Sequence, residues 1–141
     1  MDKDFTPLDA DDQPLFGERK LLFTGFSAQA QPNVLKLLAM AGLPDLELVW
    51  ASDEHLETTV DTLFSMPSGT GAGQDSTLPR GIIVGGITQR ELHTLMQGTK
   101  ATGMKRPLWA VRTPTSQTWT LKLLLSHLIA ERRQLEGTPT P

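Results

Sequence analysis

The chain has no cysteine and no tyrosine. The first absence removes disulfide staples, a thiolate nucleophile and any Cys-based zinc site, and it suits the reducing cytoplasm, where the protein is expected to reside. The second removes one of the side chains used for acid–base work. Long apolar runs are missing too: none approaches the roughly 20 residues that cross a bilayer. The opening Met1-Asp-Lys-Asp-Phe5 is acidic, with none of the apolar h-region of a secretory signal, so no membrane association is expected. Acids are scarce in the second half. Residues 80–141 carry 9 Lys/Arg against 3 Asp/Glu, whereas residues 1–79 carry 4 against 13, so that +6 and −9 make up the net charge of −3. That overall balance argues against non-specific nucleic-acid binding. The two halves are instead expected to attract each other, or their charges to solvate separate faces.

What is present reads as one domain of alternating strands and helices. Residues 1–18 hold six acids and two prolines without apolar periodicity and are expected to form a flexible acidic arm. A strand is expected over residues 20–26. Ser27 can cap the helix that follows; either a short turn precedes a helix starting near Gln31, with Pro32 in its first turn, or that first turn is distorted. Val34, Leu35, Leu38 and Ala41 fall on one face, and Gly42 and Pro44 end the helix. Residues 46–51 form a second strand. Ser52 or Asp53 then caps a helix whose inward face is Leu56, Val60, Leu63 and Phe64. Residues 66–80, rich in Gly, Ser and Pro, read as a mobile loop. Its Gly69-Thr-Gly-Ala-Gly73 is not a phosphate loop, because it follows a helix, precedes a strand and lacks Gly-Lys-Ser/Thr. Residues 81–87 are the most β-rich run and the third strand. Thr88-Gln-Arg-Glu91 is a capping box for a helix that buries Leu92, Leu95 and Met96 and frays from Gly98 to Gly103. Leu108 to Val111 is a fourth strand. Trp119 to Glu136 is a final helix with Leu121, Leu124, Leu125, Leu128 and Leu135 inward, and 137–141 form a disordered tail.

Part of this pattern occurs twice. Leu22-Phe-Thr-Gly-Phe-Ser27 aligns with Ile83-Val-Gly-Gly-Ile-Thr88 at an offset of 61. Ala41-Gly42 aligns with Thr102-Gly103 at the same offset, and Val49-Trp-Ala51 with Leu108-Trp-Ala110 after a two-residue contraction. The expected fold is therefore α/β: a four-stranded, mainly parallel sheet of order 2-1-3-4 with helices on both faces. It is built from two pseudo-repeated β-α-β-α halves, 20–65 and 81–136, inside a single domain spanning 19–136. Strands 1 and 3 then meet at a topological switch point, where ligands of open α/β sheets collect beyond the strands' carboxyl ends. Thr24, Gly25 and Ser27 from one half and Gly85, Gly86 and Thr88 from the other are expected at that crevice. Arg112, Thr113, Thr115 and Trp119 lie farther along the same rim.

Gly86-Ile-Thr-Gln-Arg-Glu-Leu92 and Pro107-Leu-Trp-Ala-Val-Arg-Thr-Pro-Thr-Ser-Gln-Thr-Trp-Thr-Leu-Lys-Leu-Leu124 resemble a family of small prokaryotic domains of unknown function. In that family a Gly-hydroxyl-x-x-Glu-Leu helix start is followed by a strand ending in Thr-Pro-Thr-x-x-x-Trp-Thr. The resemblance covers about residues 82–133 and implies a fold-level grouping, with no catalytic residue.

The chemistry-bearing residues assemble no recognisable catalytic set. His55, His93 and His127 lack the spacing of a metal motif, and each is expected on the solvent side of its helix, so no metal or cofactor is expected. There is no Gly-x-Ser-x-Gly elbow and no carboxylate pair at a strand end. Arg112 ends a strand beside hydroxyls and a helix N-terminus, where an anion can be held. The favoured account is simpler: Arg112 pairs with an acid of the first half or is solvated. The leading reading is a non-enzymatic regulatory or protein-interaction module. The alternative is a small-anion or nucleotide-binding domain using the rim, and a third is a homodimer formed through exposed apolar residues such as Leu123 or Ile129.

Overall fold

The computed structural model describes residues 12–135. Most of the expected acidic arm, and the expected tail, therefore lie outside the described residues. The elements are β1 (Lys20–Thr24), α1 (Gln31–Met40), β2 (Glu47–Ala51), α2 (Val60–Phe64), β3 (Gly81–Gly85), α3 (Gln89–Ala101), β4 (Leu108–Val111) and α4 (Leu121–Leu135).

The sheet has the expected order, β2-β1-β3-β4. Its strands are not mainly parallel, however. β1–β2 and β3–β4 are parallel, as their crossover helices α1 and α3 require, but β1 and β3 run antiparallel, with Thr24 beside Gly81 and Lys20 beside Gly85. The reason lies in residues 65–80. They carry no crossover helix; they pass along the outer edge of β2 and return to the end of β1, so β3 starts where β1 finishes. The sheet is mixed.

Side chains alternate across it, as the two-residue repeat of a strand dictates. Leu21, Phe23, Leu48, Trp50, Ile82 and Val84 form one layer with Val34 and Leu38 of α1 and Leu95 of α3. Leu22, Val49, Ile83 and Leu108 form the other with Val60, Leu63 and Phe64 of α2 and Leu121, Leu124 and Leu125 of α4. Helices therefore cover both faces. In the first layer Phe23 stacks on Trp50 at 4.7 Å and meets Phe26 edge-on at 5.5 Å.

Helix ends follow local chemistry with two exceptions. Ser27 accepts from the Ala30 amide in a turn just before α1, whose first turn holds Pro32. The Thr88–Glu91 capping box forms as expected, with Thr88 Oγ1 accepting from Glu91 N at 3.1 Å and Glu91 Oε1 from Thr88 N at 2.8 Å. The helix expected from Ser52 does not form there. Ser52 instead starts a single 3-10 turn over Asp53–His55, and α2 begins at Val60 with Thr59 as its cap. Nor does α3 fray at Gly98, which sits inside the helix. A Cβ at Gly98 would lie 2.4 Å from Leu37 Cδ1, so the missing side chain lets α1 and α3 pack closely. Leu135, expected inward, is 86% exposed because α4 overruns the short strand beneath it.

Residues 66–80 bond extensively to the body. Gly69 N donates to Leu48 O and Trp50 N to Thr70 O, both at 2.8 Å. Gln31 bonds to Gly73 and Gln74, Asp75 accepts from Ala28 N, and Asp53 holds Ser76 and Thr77. These bonds keep the Asp53 carboxyl below its ordinary range, chiefly through the Thr77 hydroxyl.

Candidate functional site

The antiparallel β1–β3 pair decides the fate of the expected crevice. Thr24, Gly25 and Ser27 lie at one end of the sheet and Gly85, Gly86 and Thr88 at the other, roughly 13 Å apart for strands of this length. No shared crevice forms between them. Each corner is instead closed by its own chain segment. At the first, Thr24 is fully buried and its hydroxyl donates to Pro79 O at 2.7 Å, while Gly25 (φ +73°) lies under Leu78 and Arg80. At the second, Gly86 (φ +68°) lies under Glu18 and Arg19, the Gly85 position abuts Glu18 O, and Thr88 serves its capping box.

Arg112, Thr113 and Thr115 stand at the same end as Gly85 and Gly86, since β3 and β4 are parallel. Arg112 is 8% exposed. Its Nη2 donates to Asp61 Oδ1 at 2.7 Å and its Nε to Gln117 Oε1 at 3.0 Å, with the guanidinium 4.7 Å above the Phe64 ring. The acid of the first half has thus claimed the arginine. Thr113 and Ser116 bond reciprocally through hydroxyls and amides, which shapes the turn before α4. The peptide bonds of this turn are trans. Trp119 sits on the α2–α4 face, where its carbonyl accepts from Val60 N at 2.9 Å and its ring meets His127 at 4.6 Å.

The histidines divide. His93 and His127 are exposed, but His55 turns inward, its Nδ1 accepting from Ser52 N at 3.0 Å. Among the described residues no group of three or more His, Asp or Glu could hold a metal ion. Of the two leucine-class residues expected at an exposed apolar face, Leu123 is 41% exposed and Ile129 is half-buried.

A different site emerges at β4. As an outer strand it is flanked by α3 on one face and α4 on the other, and a cavity of about 540 Å³ opens between them over Pro107, Leu108 and Trp109. Met96, Leu128 and Leu135 give it apolar walls; Lys100, Arg106 and Arg132 outnumber Glu131 among its charges. Arg132 Nη2 donates to Pro107 O at 2.7 Å, tying the end of α4 to the start of the strand. A second cavity of about 370 Å³ shares Arg106, Leu108 and Arg132 and adds Arg80, Lys105 and Arg133. Burial against Phe26 lowers the Arg80 pKa from its ordinary value. Sequence reasoning did not find this groove. Two signals pointed to it: the order 2-1-3-4, which leaves the fourth strand at an edge, and the cluster Lys100, Lys105 and Arg106 just before it.

Among the described residues no helix is long and apolar enough to cross a membrane. No curated protein and no solved structure matches the chain. Residues 80–135, from Arg80 through β3, α3, β4 and α4, match the family model described as a domain of unknown function, DUF3783.

Proposed function

We propose that the chain is a non-enzymatic, cytoplasmic interaction module that binds a protein partner in the groove between α3 and α4. One observation carries the reading: an apolar cavity of about 540 Å³ with a basic border lies over the start of an edge strand. Concave apolar sites with a few placed polar groups are where binding energy can be concentrated. The nucleophile–base and paired-carboxylate arrangements that would favour an enzyme do not occur at the expected rim. The anion-binding alternative has less to support it, because the two Gly-hydroxyl corners lie at opposite ends and Arg112 already holds Asp61.

We also infer that the module arose by doubling a β-α-β-α unit. The support is a set of pairs, each 61 residues apart, that meet along one line through the molecule. Leu37 packs into the space at Gly98 in the α1–α3 layer, Leu22 pairs with Ile83 in the sheet, and Thr59 bridges Thr120 on the opposite face. Around that line the bonds are reciprocal: Val60 N donates to Trp119 O and Leu121 N to Thr58 O, both at 2.9 Å. The helix ends match too, with Leu43 N donating to Leu38 O and Met104 N to Thr99 O. On this reading the matched segment 80–135 is one unit, with Thr113-Pro-Thr115 and Trp119-Thr120 as its hallmark turn, and residues 20–65 are its diverged copy.

The groove reading is tested with anilinonaphthalene sulfonate, an apolar anion that suits such walls. Saturable fluorescence is expected, lost in Leu128→Glu and retained in Leu123→Glu, which alters an exposed leucine of the same helix away from the groove. Equal binding by both variants would remove the groove as the docking surface.

A further inference from the structure

The two outer strands are treated differently. Along β2 the outward-facing groups are bonded by the chain itself: Leu48 N donates to Ser68 Oγ, Leu48 O accepts from Gly69 N, and Trp50 N donates to Thr70 O. Along β4, Leu108 N and Arg112 N point inward to Arg80 O and Val84 O. By strand alternation Trp109 and Val111 therefore aim their N–H and C=O groups away from the sheet. No bond to those backbone groups occurs among the described residues. Trp109 stands in β4 where Trp50 stands in β2, and no described residue bonds along it as Ser68–Thr70 bond along β2.

We propose that β4 receives an extended acidic and apolar peptide strand from a partner protein, laid along Trp109 and Val111 as Ser68–Thr70 lie along Leu48 and Trp50. The proposal rests on the groove reading above and names its occupant. An added strand sends side chains alternately to the two faces, here toward α3 and toward α4, so apolar residues enter the cavity beside Met96 and Leu128. Lys100 at the cavity's border supplies the charge that selects acidic neighbours, in a half of the chain that carries 9 basic and 3 acidic residues. A second copy is a poorer occupant, since joining β4 to β4 brings two basic borders together. Asp12, where the described residues begin, is paired with Arg90, ten residues before Lys100 and about 15 Å away along α3.

The test uses the isotope-labelled full chain and a short synthetic peptide of alternating valine and glutamate. Saturable amide shifts at Trp109 and Val111 are expected, together with slowed hydrogen exchange at both. Lys100→Glu, on an exposed site that leaves the fold intact, is expected to weaken binding about tenfold. The same peptide N-methylated at alternate residues, which cannot pair as a strand, is expected not to bind. Binding by the N-methylated peptide, or shifts at Met96 and Leu128 without protection at Trp109 and Val111, would overturn strand addition while leaving the groove reading standing. No response anywhere in the groove, combined with loss of the dye result, would remove both. Equal binding of a valine–lysine peptide would overturn the acidic partner. Protection already present without peptide would do the same for a partner in trans: loss on dilution would identify a second copy, and loss on deleting residues 1–11 the chain's own segment.

Discussion

Glu91 does two jobs with one carboxylate. It closes the capping box of α3 and makes a two-pronged pair with Arg19, Oε1 and Oε2 each 2.7 Å from a guanidinium nitrogen. The Arg19 bonds lead in lowering its pKa from the ordinary 4.5 to about 2, and the Thr88 amide adds to the effect. A carboxylate whose folded pKa is depressed contributes stability that is complete above the unfolded value and disappears as pH falls through the folded one. Melting curves should therefore show Glu91→Gln less stable than the parent near neutral pH. The gap should close between pH 4.5 and about 2. With Arg19 half exposed, it is about 0.2–1 kcal/mol at its widest. Glycines supply a second residue-scale expectation. Gly25 and Gly86 combine positive φ with backbone contacts, at 2.3 Å and 2.4 Å, that a Cβ would meet, whereas Gly42 has positive φ but open space. Alanine at Gly42 should cost the strain alone, about 1 kcal/mol; at Gly25 or Gly86 the cost should be about 3 kcal/mol or more in urea titrations.

At the scale of elements, the bond from Arg112 to Asp61 ties the end of β4 to α2. The pair is lopsided, with side-chain exposures of 9% and 61%. Removing Asp61 leaves a buried cation whose remaining side-chain hydrogen bond among the described residues is to Gln117, whereas Arg112→Met removes the charge and keeps the packing against Phe64. Asp61→Ala should accordingly cost roughly 2 kcal/mol, more than Arg112→Met, even though Asp61 is the exposed partner. Denaturant midpoints of the two variants decide the order. Most elements were legible because their signals are local. Apolar alternation marks β1 and β3, the Thr88–Glu91 box marks the start of α3, and Gly42 marks the end of α1. The strand order also came out as expected from the alternation of strands and helices. The direction of β3 did not, because residues 65–80 carry no periodic pattern and their course depends on backbone bonds to Leu48 and Trp50 that composition does not announce. The rim failed with that direction. Thr88 caps α3 as expected, Ser27 and Thr113 shape turns, and Thr24 bonds to Pro79 O, so these hydroxyls are engaged by the chain itself.

At the scale of the whole molecule, the opposite charges of the two halves are used internally. Arg90–Asp12, Arg112–Asp61 and Lys122–Glu57 each join an acid of the first half to a base of the second, and Arg19–Glu91 crosses the same boundary with the signs reversed. The apolar layers cross the same boundary, since each contains residues from both halves. Neither half keeps a complete core when the other is removed, so the chain should unfold in one step. Leu22 and Ile83 test this most sharply: they are fully buried, pair across the β1–β3 boundary and belong to different halves. Leu22→Ala and Ile83→Ala should each cost about 2–5 kcal/mol. In each variant, far-ultraviolet circular dichroism and tryptophan fluorescence should fall together at a single midpoint. Two separated transitions in either variant would mean that the halves fold independently, and the shared core would then not be what holds β1 against β3.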